Sequence, residues 1–280
     1  MKKMNIETAD FLATKMRSEY LRISSNEPIN MKTTLRQLNI MTVYRSLSDN
    51  LFGMSLLSSD KQHRFMLVNS NSTRGRQHFT IAHELYHLYF DETPKPHFCS
   101  KDNDTDPTER SANMFASALL MPKEGLLQKL STVEISNKEV EIDTLLRLEH
   151  LYGVSHQTLI VRLKELRMIT PAYYDKMQNI SVTWESAMRG YDLDLYQKGN
   201  EGLIIGDFGS KARKLFDEDR ISEGHYLELL NLIGYGKSEN CSGWGKISPE
   251  ECSQFISTVN ANDSHLPVVD ITHYVPIFQL

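Results

Sequence analysis

The pentapeptide His83-Glu84-Leu85-Tyr86-His87 constrains the fold of this 280-residue chain more than any other segment. On a helix of 3.6 residues per turn, two histidines four positions apart project from one face, so both imidazoles can reach a single ion. Glu84 lies beside that face. The opposite side of the helix is apolar and carries Ile81, Leu85 and Leu88. The pattern predicts a helix that buries its back and presents two metal ligands and a carboxylate to a cleft.

The pentapeptide alone has a simple alternative explanation, because a chain with this histidine and glutamate content contains it by chance with a probability of about 2%. A catalytic zinc site also needs a third protein ligand and an open position for water. A longer form of this motif has a glycine three residues, and a third ligand histidine six residues, after the second histidine. That form is absent, since Phe90 and Thr93 occupy these two positions. A glutamate on a later helix is the remaining common solution.

Glu109 suits that role because it opens a predicted helix, from about residue 108 to 120, that Pro122 terminates. Asn113 lies one turn further along the same face, so we expect it to hydrogen-bond a ligand histidine. Each residue has a structural alternative. A glutamate in the first turn of a helix is stabilised by the helix dipole without any metal, and Asn113 equally suits a buried structural amide.

The bulk properties are those of an ordinary globular protein, with 40% hydrophobic and 24% charged residues. The net charge of −5 argues against broad nucleic-acid coating and leaves room only for a local basic patch. No apolar run approaches the roughly 20 residues that cross a bilayer, and no apolar segment follows the basic start. Three cysteines, Cys99, Cys241 and Cys252, form no CxxC pair and are interpreted as structural. We therefore expect a cytoplasmic protein.

Local patterns predict helices and one small sheet. Apolar and β-branched runs at 41–45, 52–57 and 64–69 indicate strands of a small antiparallel sheet, and the edge of the third strand is a candidate site for adding a substrate strand. Helices are predicted at 142–152 and 156–168 around the turn Gly153-Val154-Ser155, which is a helix-turn-helix-like pattern. After Pro171 the pattern is hard to interpret.

The second helix of that pair carries Arg162, Lys164 and Arg167 against Glu165, so DNA binding is one interpretation. Because the whole chain is acidic, we favour packing or recognition of a protein partner over DNA binding as the role of this helix pair.

Six segments, one of which contains the pentapeptide, form a wider pattern: Asn50–Met54, Val68-Asn69, Arg76–His87, Glu109–Asn113, Phe115-Ala116 and Leu119–Pro122. Together they resemble the ImmA/IrrE-type metallopeptidases of bacteria and their mobile elements. The resemblance runs from about Pro28 to Met168 and is far more specific than the pentapeptide alone. Family members usually have glycine where this chain has Tyr86, and His78 is an insertion-like departure. Neither position is a proposed ligand.

The resemblance implies a zinc-dependent endopeptidase that acts on a cytoplasmic regulator, typically a helix-turn-helix repressor encoded nearby. Zinc would be held by His83, His87 and Glu109, and Glu84 would be the general base toward a metal-activated water. The oxyanion needs a second electrophile. His97, His150 and Tyr152 are candidates among which the sequence does not choose.

The combined prediction is an α+β fold in three parts. Residues 1–125 form a zincin-like metallopeptidase domain with the small antiparallel sheet, residues 126–175 a helix-turn-helix-like helical segment, and residues 176–280 a regulatory or partner-binding region of uncertain fold. Two alternatives to the enzyme stay open. One is a non-proteolytic regulator that binds a repressor, and the other is a DNA-binding regulator. The intact Glu84 favours the enzyme, because a binding module has no need of it.

Overall fold

A mixed β-sheet stands at the centre of the computed structural model, which describes residues 4–58, 60–91, 97–100 and 106–232. Within these ranges five strands form one sheet in the order β4-β2-β3-β1-β5. The strands are β1 (Ile40–Arg45), β2 (Leu51–Leu57), β3 (Arg64–Asn69), β4 (His97–Ser100) and β5 (Ile204–Ile205).

The direction of the strands corrects the predicted antiparallel sheet. β3 pairs with β2 in antiparallel fashion but with β1 in parallel, with Thr42 opposite Met66. Because β3 lies between β1 and β2, residues 46–50 form a crossover and not a hairpin turn. The side chain of Asn69 stabilises this crossover, since its amide nitrogen donates to the carbonyls of Ser48 and Leu51 and its oxygen accepts from the amide of Leu47. β3 is therefore an interior strand, and the prediction that its edge receives a substrate strand is wrong.

Helices surround the sheet. The N-terminal helix α1 continues as a π-helical segment, Met16–Leu21, and a 3₁₀ turn occupies Asp194–Tyr196. The helices are α1 (Ile6–Lys15), α2 (Met31–Gln37), α3 (Arg74–Tyr89), α4 (Pro107–Leu120), α5 (Lys123–Lys129), α6 (Thr132–Asn137), α7 (Ile142–Tyr152), α8 (His156–Glu165), α9 (Pro171–Met177), α10 (Val182–Met188), α11 (Phe208–Asp217) and α12 (Glu223–Leu232).

Both faces of the sheet are buried, so alternate residues of one strand enter two different cores. In β1, Ile40 and Tyr44 join the larger core, which α3 and α4 share. Met41 and Val43 join a smaller core on the opposite face, together with residues of α11 and α12. Residues beyond 200 therefore complete the sheet and cover its back, while α3 and α4 occupy its front.

The helix pair α7 and α8 is docked against α3. Gly153, in the turn between the two helices, has φ +64°, and its carbonyl lies 2.8 Å from Nδ1 of His78. A Cβ at Gly153 would lie 2.7 Å from that nitrogen, so the contact depends on glycine at this position. In α8, Arg162 is 1% exposed and ion-paired with Asp10, and the amine of Lys164 lies 3.8 Å from the ring centre of Tyr174.

Among the described residues, none of the helices has the length and apolar character needed to span a bilayer.

Candidate metal centre

His83 and His87 lie on consecutive turns of α3, which begins after Thr73, whose side chain accepts a hydrogen bond from the amide of Arg76. Both histidines are buried, at 1% and 4% exposure. Their Nε2 atoms face each other at 3.3 Å. The side chains of the two predicted ligands therefore point at one small volume.

Hydrogen bonds at Nδ1 fix which nitrogen of each imidazole faces that volume. Nδ1 of His83 lies 2.9 Å from Oδ1 of Asn113, and Nδ1 of His87 lies 3.2 Å from Oδ2 of Asp91. Amide and carboxylate oxygens only accept, so each Nδ1 carries the proton and donates it. Each Nε2 is therefore the nitrogen that would coordinate a metal, and the rings are oriented by a polar partner as in most histidine-metal sites.

Glu109 provides oxygen donors from the first turn of α4, where Asp106 caps the helix and Pro107 starts it. Its Oε2 lies 3.3 Å from Nε2 of His83, and its Oε1 lies 3.6 Å from Nε2 of His87. Ligand atoms bound to tetrahedral zinc at about 2.0–2.2 Å are themselves about 3.3–3.6 Å apart. The spacing and the two-nitrogen, one-carboxylate donor set therefore fit a zinc ion.

Glu84 lies beside the three donors and is completely buried. The hydroxyl of Ser55, in β2, donates a 2.6 Å hydrogen bond to its Oε2. Gly53, two residues earlier on the same face of β2, has no side chain to occupy the space there. A Cβ at Gly53 would lie 2.6 Å from Cγ2 of Thr80 and 3.9 Å from Oε1 of Glu84. Small residues on β2 thus allow α3 to approach the sheet and hold the Glu84 carboxylate at the site.

Cys99 also belongs to this cluster. Its sulfur and donor atoms of His83 and Glu84 all lie within 4.8 Å of one another. His83 is thus shared by two donor groups, one with His87 and Glu109 and one with Glu84 and Cys99.

The electrostatics of the cluster favour a cation. Burial disfavours a charged imidazolium at His83, but Cys99, Glu109 and Glu84 outweigh that penalty and raise the pKa of His83 well above its ordinary value of 6.5. The same negative groups beside His83 favour binding of a divalent metal there.

The structure brings together His83, Glu84, His87, Glu109 and Asn113, all five residues that the sequence suggested for the site. The oxyanion candidates are placed differently. The ring of His150 stacks on Tyr191, and the hydroxyl of Tyr152 lies next to the backbone of Gly125 in α5. His97 is in β4, but its side chain lies outside the described part of the chain.

Sequence reasoning missed three residues of the site: Ser55, Asp91 and Cys99. Asp91 had a local signal, because it follows His87 by four residues and so continues the face of the ligand helix. Ser55 and Cys99 had none, since strand pairing brings them to the site. Cys99, interpreted from the sequence as structural, is half-buried against His83 and Glu84.

We expect Asn113→Ala and Asp91→Ala each to weaken zinc binding by about 10- to 100-fold, because each removes the acceptor that orients one ligand imidazole. A competition titration of the purified protein against a chromophoric chelator measures this. Asn179→Ala is the matched control, because Asn179 is exposed and lies after the end of α9. Its side-chain amide donates to the carbonyl of Asp175 within that helix. Unchanged zinc affinity in both site variants would contradict the assigned orientation of the ligands.

Comparison with known proteins agrees with this geometry. Residues 35–164 match the family model described as Peptidase M78, the IrrE N-terminal-like domain. The matched range contains every residue of the cluster described above. A comparison with curated proteins gave no match.

Proposed function

We propose that this chain, whose residues 35–164 belong to the IrrE N-terminal-like domain family of M78 metallopeptidases, is a cytoplasmic zinc endopeptidase that cleaves a helix-turn-helix transcriptional repressor. The observation that carries the proposal is the convergence of His83, His87 and Glu109 at 3.3–3.6 Å with Glu84 at their side. Zinc is the metal proposed because two neutral imidazoles and one carboxylate in a buried site match its preference.

A bound zinc ion would polarise the scissile carbonyl and make the attacking water more acidic. A side chain of the protein carries out the proton transfers. Glu84 accepts a proton from that water and delivers it to the leaving amine of the cleaved bond. The hydroxyl of Ser55 holds the carboxylate of Glu84 in place for both transfers through its 2.6 Å hydrogen bond.

The sheet offers a place for the substrate next to these groups. β4 is the terminal strand in the order β4-β2-β3-β1-β5 and carries Cys99, which lies against the cluster. An extended substrate segment added to the edge of β4 would run past Glu84 with its backbone hydrogen-bonded to the strand. This edge replaces the edge of β3 that the sequence suggested.

The contacts that two cationic side chains of α8 make within the fold favour a protein substrate over DNA. Arg162 is buried and ion-paired with Asp10, and Lys164 lies over the ring of Tyr174. Two of the three cations that suggested DNA binding are thus already used within the fold. Direct readout of bases requires side chains that reach into a groove.

The test uses the full chain loaded with zinc and the repressor encoded by the neighbouring open reading frame. We expect one or a few cuts in the repressor, which mass spectrometry of the products locates. A chelator should stop the cleavage and added zinc should restore it. A repressor that binds the zinc-loaded protein but is never cut would overturn the proposal in favour of a non-proteolytic regulator.

A further inference from the structure

Arg76 is aligned with the two histidine ligands on the helix α3. It precedes His83 by seven residues and His87 by eleven. These spacings are about two and three turns of a helix, so the three side chains leave the same face. Unlike the two histidines, Arg76 is exposed. The ligand face of α3 therefore continues as an exposed surface before the metal centre, and Arg76 lies on that surface.

A bulge in β2 places an aromatic ring against the guanidinium group of Arg76. Leu51 and Gly53 pair with two adjacent residues of β4, so Phe52 is the extra residue of the bulge. A bulge changes the direction of the side chain that it carries. Leu51 packs in the core behind the sheet, whereas Phe52 contacts α3, and Cζ of Arg76 lies 4.2 Å from the centre of its ring. This cation-π contact positions the guanidinium group.

The contacts between α3 and β2 form a row that leads from Arg76 to Glu84. The row begins with Phe52 against Arg76 and ends with Ser55 against Glu84. Eight residues of helix rise by about 12 Å, which an extended peptide covers with three or four residues at roughly 3.3 Å each. β4 pairs with the same stretch of β2. A substrate segment on the edge of β4 would therefore bring one side chain near Arg76 while its scissile bond lies at Glu84.

The guanidinium group of Arg76 has donors to offer to a ligand. Among the described residues its contact is the ring of Phe52, and it forms no ion pair. Arg74, the other arginine of α3, is by contrast paired with Asp194. A contact with a ring uses the face of a guanidinium group and leaves the N–H groups at its edge free to donate. Those N–H groups form the planar fork that matches a carboxylate.

We propose that Arg76 and Phe52 form a specificity subsite of the peptidase, which binds the carboxylate of an aspartate or glutamate side chain about three or four residues to one side of the scissile bond. The inference rests on the proposed function and names a feature of its substrate. The ring positions the guanidinium group, and the fork donates to both oxygens of the carboxylate. An amide or apolar side chain at that position cannot replace this pairing, so the acidic residue is preferred.

A random peptide library tests the subsite with the full-length, zinc-loaded protein. The peptides are acetylated and amidated, so every carboxylate in them belongs to a side chain. Mass spectrometry of the products locates the cuts, and we expect aspartate and glutamate to be enriched about three or four positions to one side of them. A well-cleaved sequence is then made with glutamate or glutamine at the enriched position. The two peptides should differ in kcat/KM by about 10- to 100-fold, the usual effect of charge-assisted hydrogen bonds.

Substitutions of Arg76 test its part in that preference. Arg76→Gln should reduce the ratio of the two kcat/KM values to about one, and Arg76→Lys, which keeps the charge but not the fork, should give an intermediate ratio. Arg76→Glu should reverse the preference, so that lysine is enriched in place of the acidic residues. A merely structural contact between Arg76 and Phe52 predicts no reversal. Arg36→Gln is the matched control, since Arg36 is exposed on α2, and it should keep the wild-type ratio.

Three results would overturn the subsite and leave the peptidase proposal intact. One is cleavage by the wild-type protein without enrichment of acidic residues, and another is the same enrichment in Arg76→Gln. The third is an equal loss of the preference in Arg76→Gln and Arg36→Gln, which would attribute it to the overall charge of the protein. A zinc-loaded wild-type protein that cuts neither the library nor the repressor would overturn both proposals at once.

Discussion

Replacement of Glu84 by glutamine is expected to leave zinc bound and to slow cleavage of the repressor by about 100- to 10,000-fold, the usual contribution of general acid-base catalysis. The substitution keeps the shape of the side chain, and its amide oxygen can still accept the hydrogen bond from Ser55. What is lost is the group that takes a proton from water and passes it to the leaving amine. Metal content by atomic absorption and single-turnover cleavage measure the two effects separately.

Glu124→Gln is the matched control for Glu84→Gln, because it removes one carboxylate at an exposed position of α5. Its cleavage rate should equal that of the wild-type protein. Cleavage by Glu84→Gln at the wild-type rate would show that Glu84 is not the base. Loss of zinc from Glu84→Gln would instead make Glu84 a ligand and would favour the second donor group, which contains His83, Glu84 and Cys99.

Replacement of Glu109 by alanine is expected to weaken zinc binding by on the order of 100- to 1,000-fold, since four-ligand zinc sites bind with about 10–16 kcal/mol in total. The remaining donors, His83 and His87, both come from one helix and do not enclose the ion. Cleavage at limiting zinc should be lost with the metal. Isothermal titration and the rise of the melting temperature on adding zinc measure the change, because a ligand stabilises only the form that binds it.

The alternative role of Glu109, a first-turn acid that favours the helix dipole, predicts a different result. That role is worth about 0.3–1 kcal/mol of stability and involves no metal. Glu7→Ala is the matched control, since Glu7 is also an acid in the first turn of a helix, α1. If the two variants lose similar stability and Glu109→Ala still binds zinc as the wild-type protein does, Glu109 is an acid that favours the helix dipole and not a ligand.

The elements that carry the site were predictable because their signals are local. Helical periodicity around the pentapeptide predicted the helix α3, and the proline two residues after Leu120 helped to predict α4 to within one residue at each end. The strand 64–69 and the helix 142–152 have the predicted bounds. In each case one buried face and a clear helix or strand signal lie within a single stretch of sequence.

The pairing of the strands was not predictable in the same way. Residues 46–50, of which all but Leu47 are polar, suit a hairpin turn as well as the crossover that they form. The hydrogen bonds that decide between the two come from Asn69, which is distant in sequence. β4 follows two prolines and has four residues, too few to show a strand period. For this reason Cys99 could not be placed beside His83 and Glu84 from the sequence, whereas Glu109 and Asn113 could be placed from their spacing on one helix.

The strand β5 joins a late part of the described chain to β1, an early strand of the sheet. Ile204 pairs with Val43, and Phe208, Ala212 and Leu229 cover the back of the sheet whose front bears the metal centre. A ribosome releases the N-terminal residues first, so β1 has an open edge and an uncovered apolar face until synthesis has passed residue 229. The N-terminal half of the described chain therefore completes its sheet only when most of the chain exists, which delays assembly of the sheet that carries the candidate metal centre until late in translation.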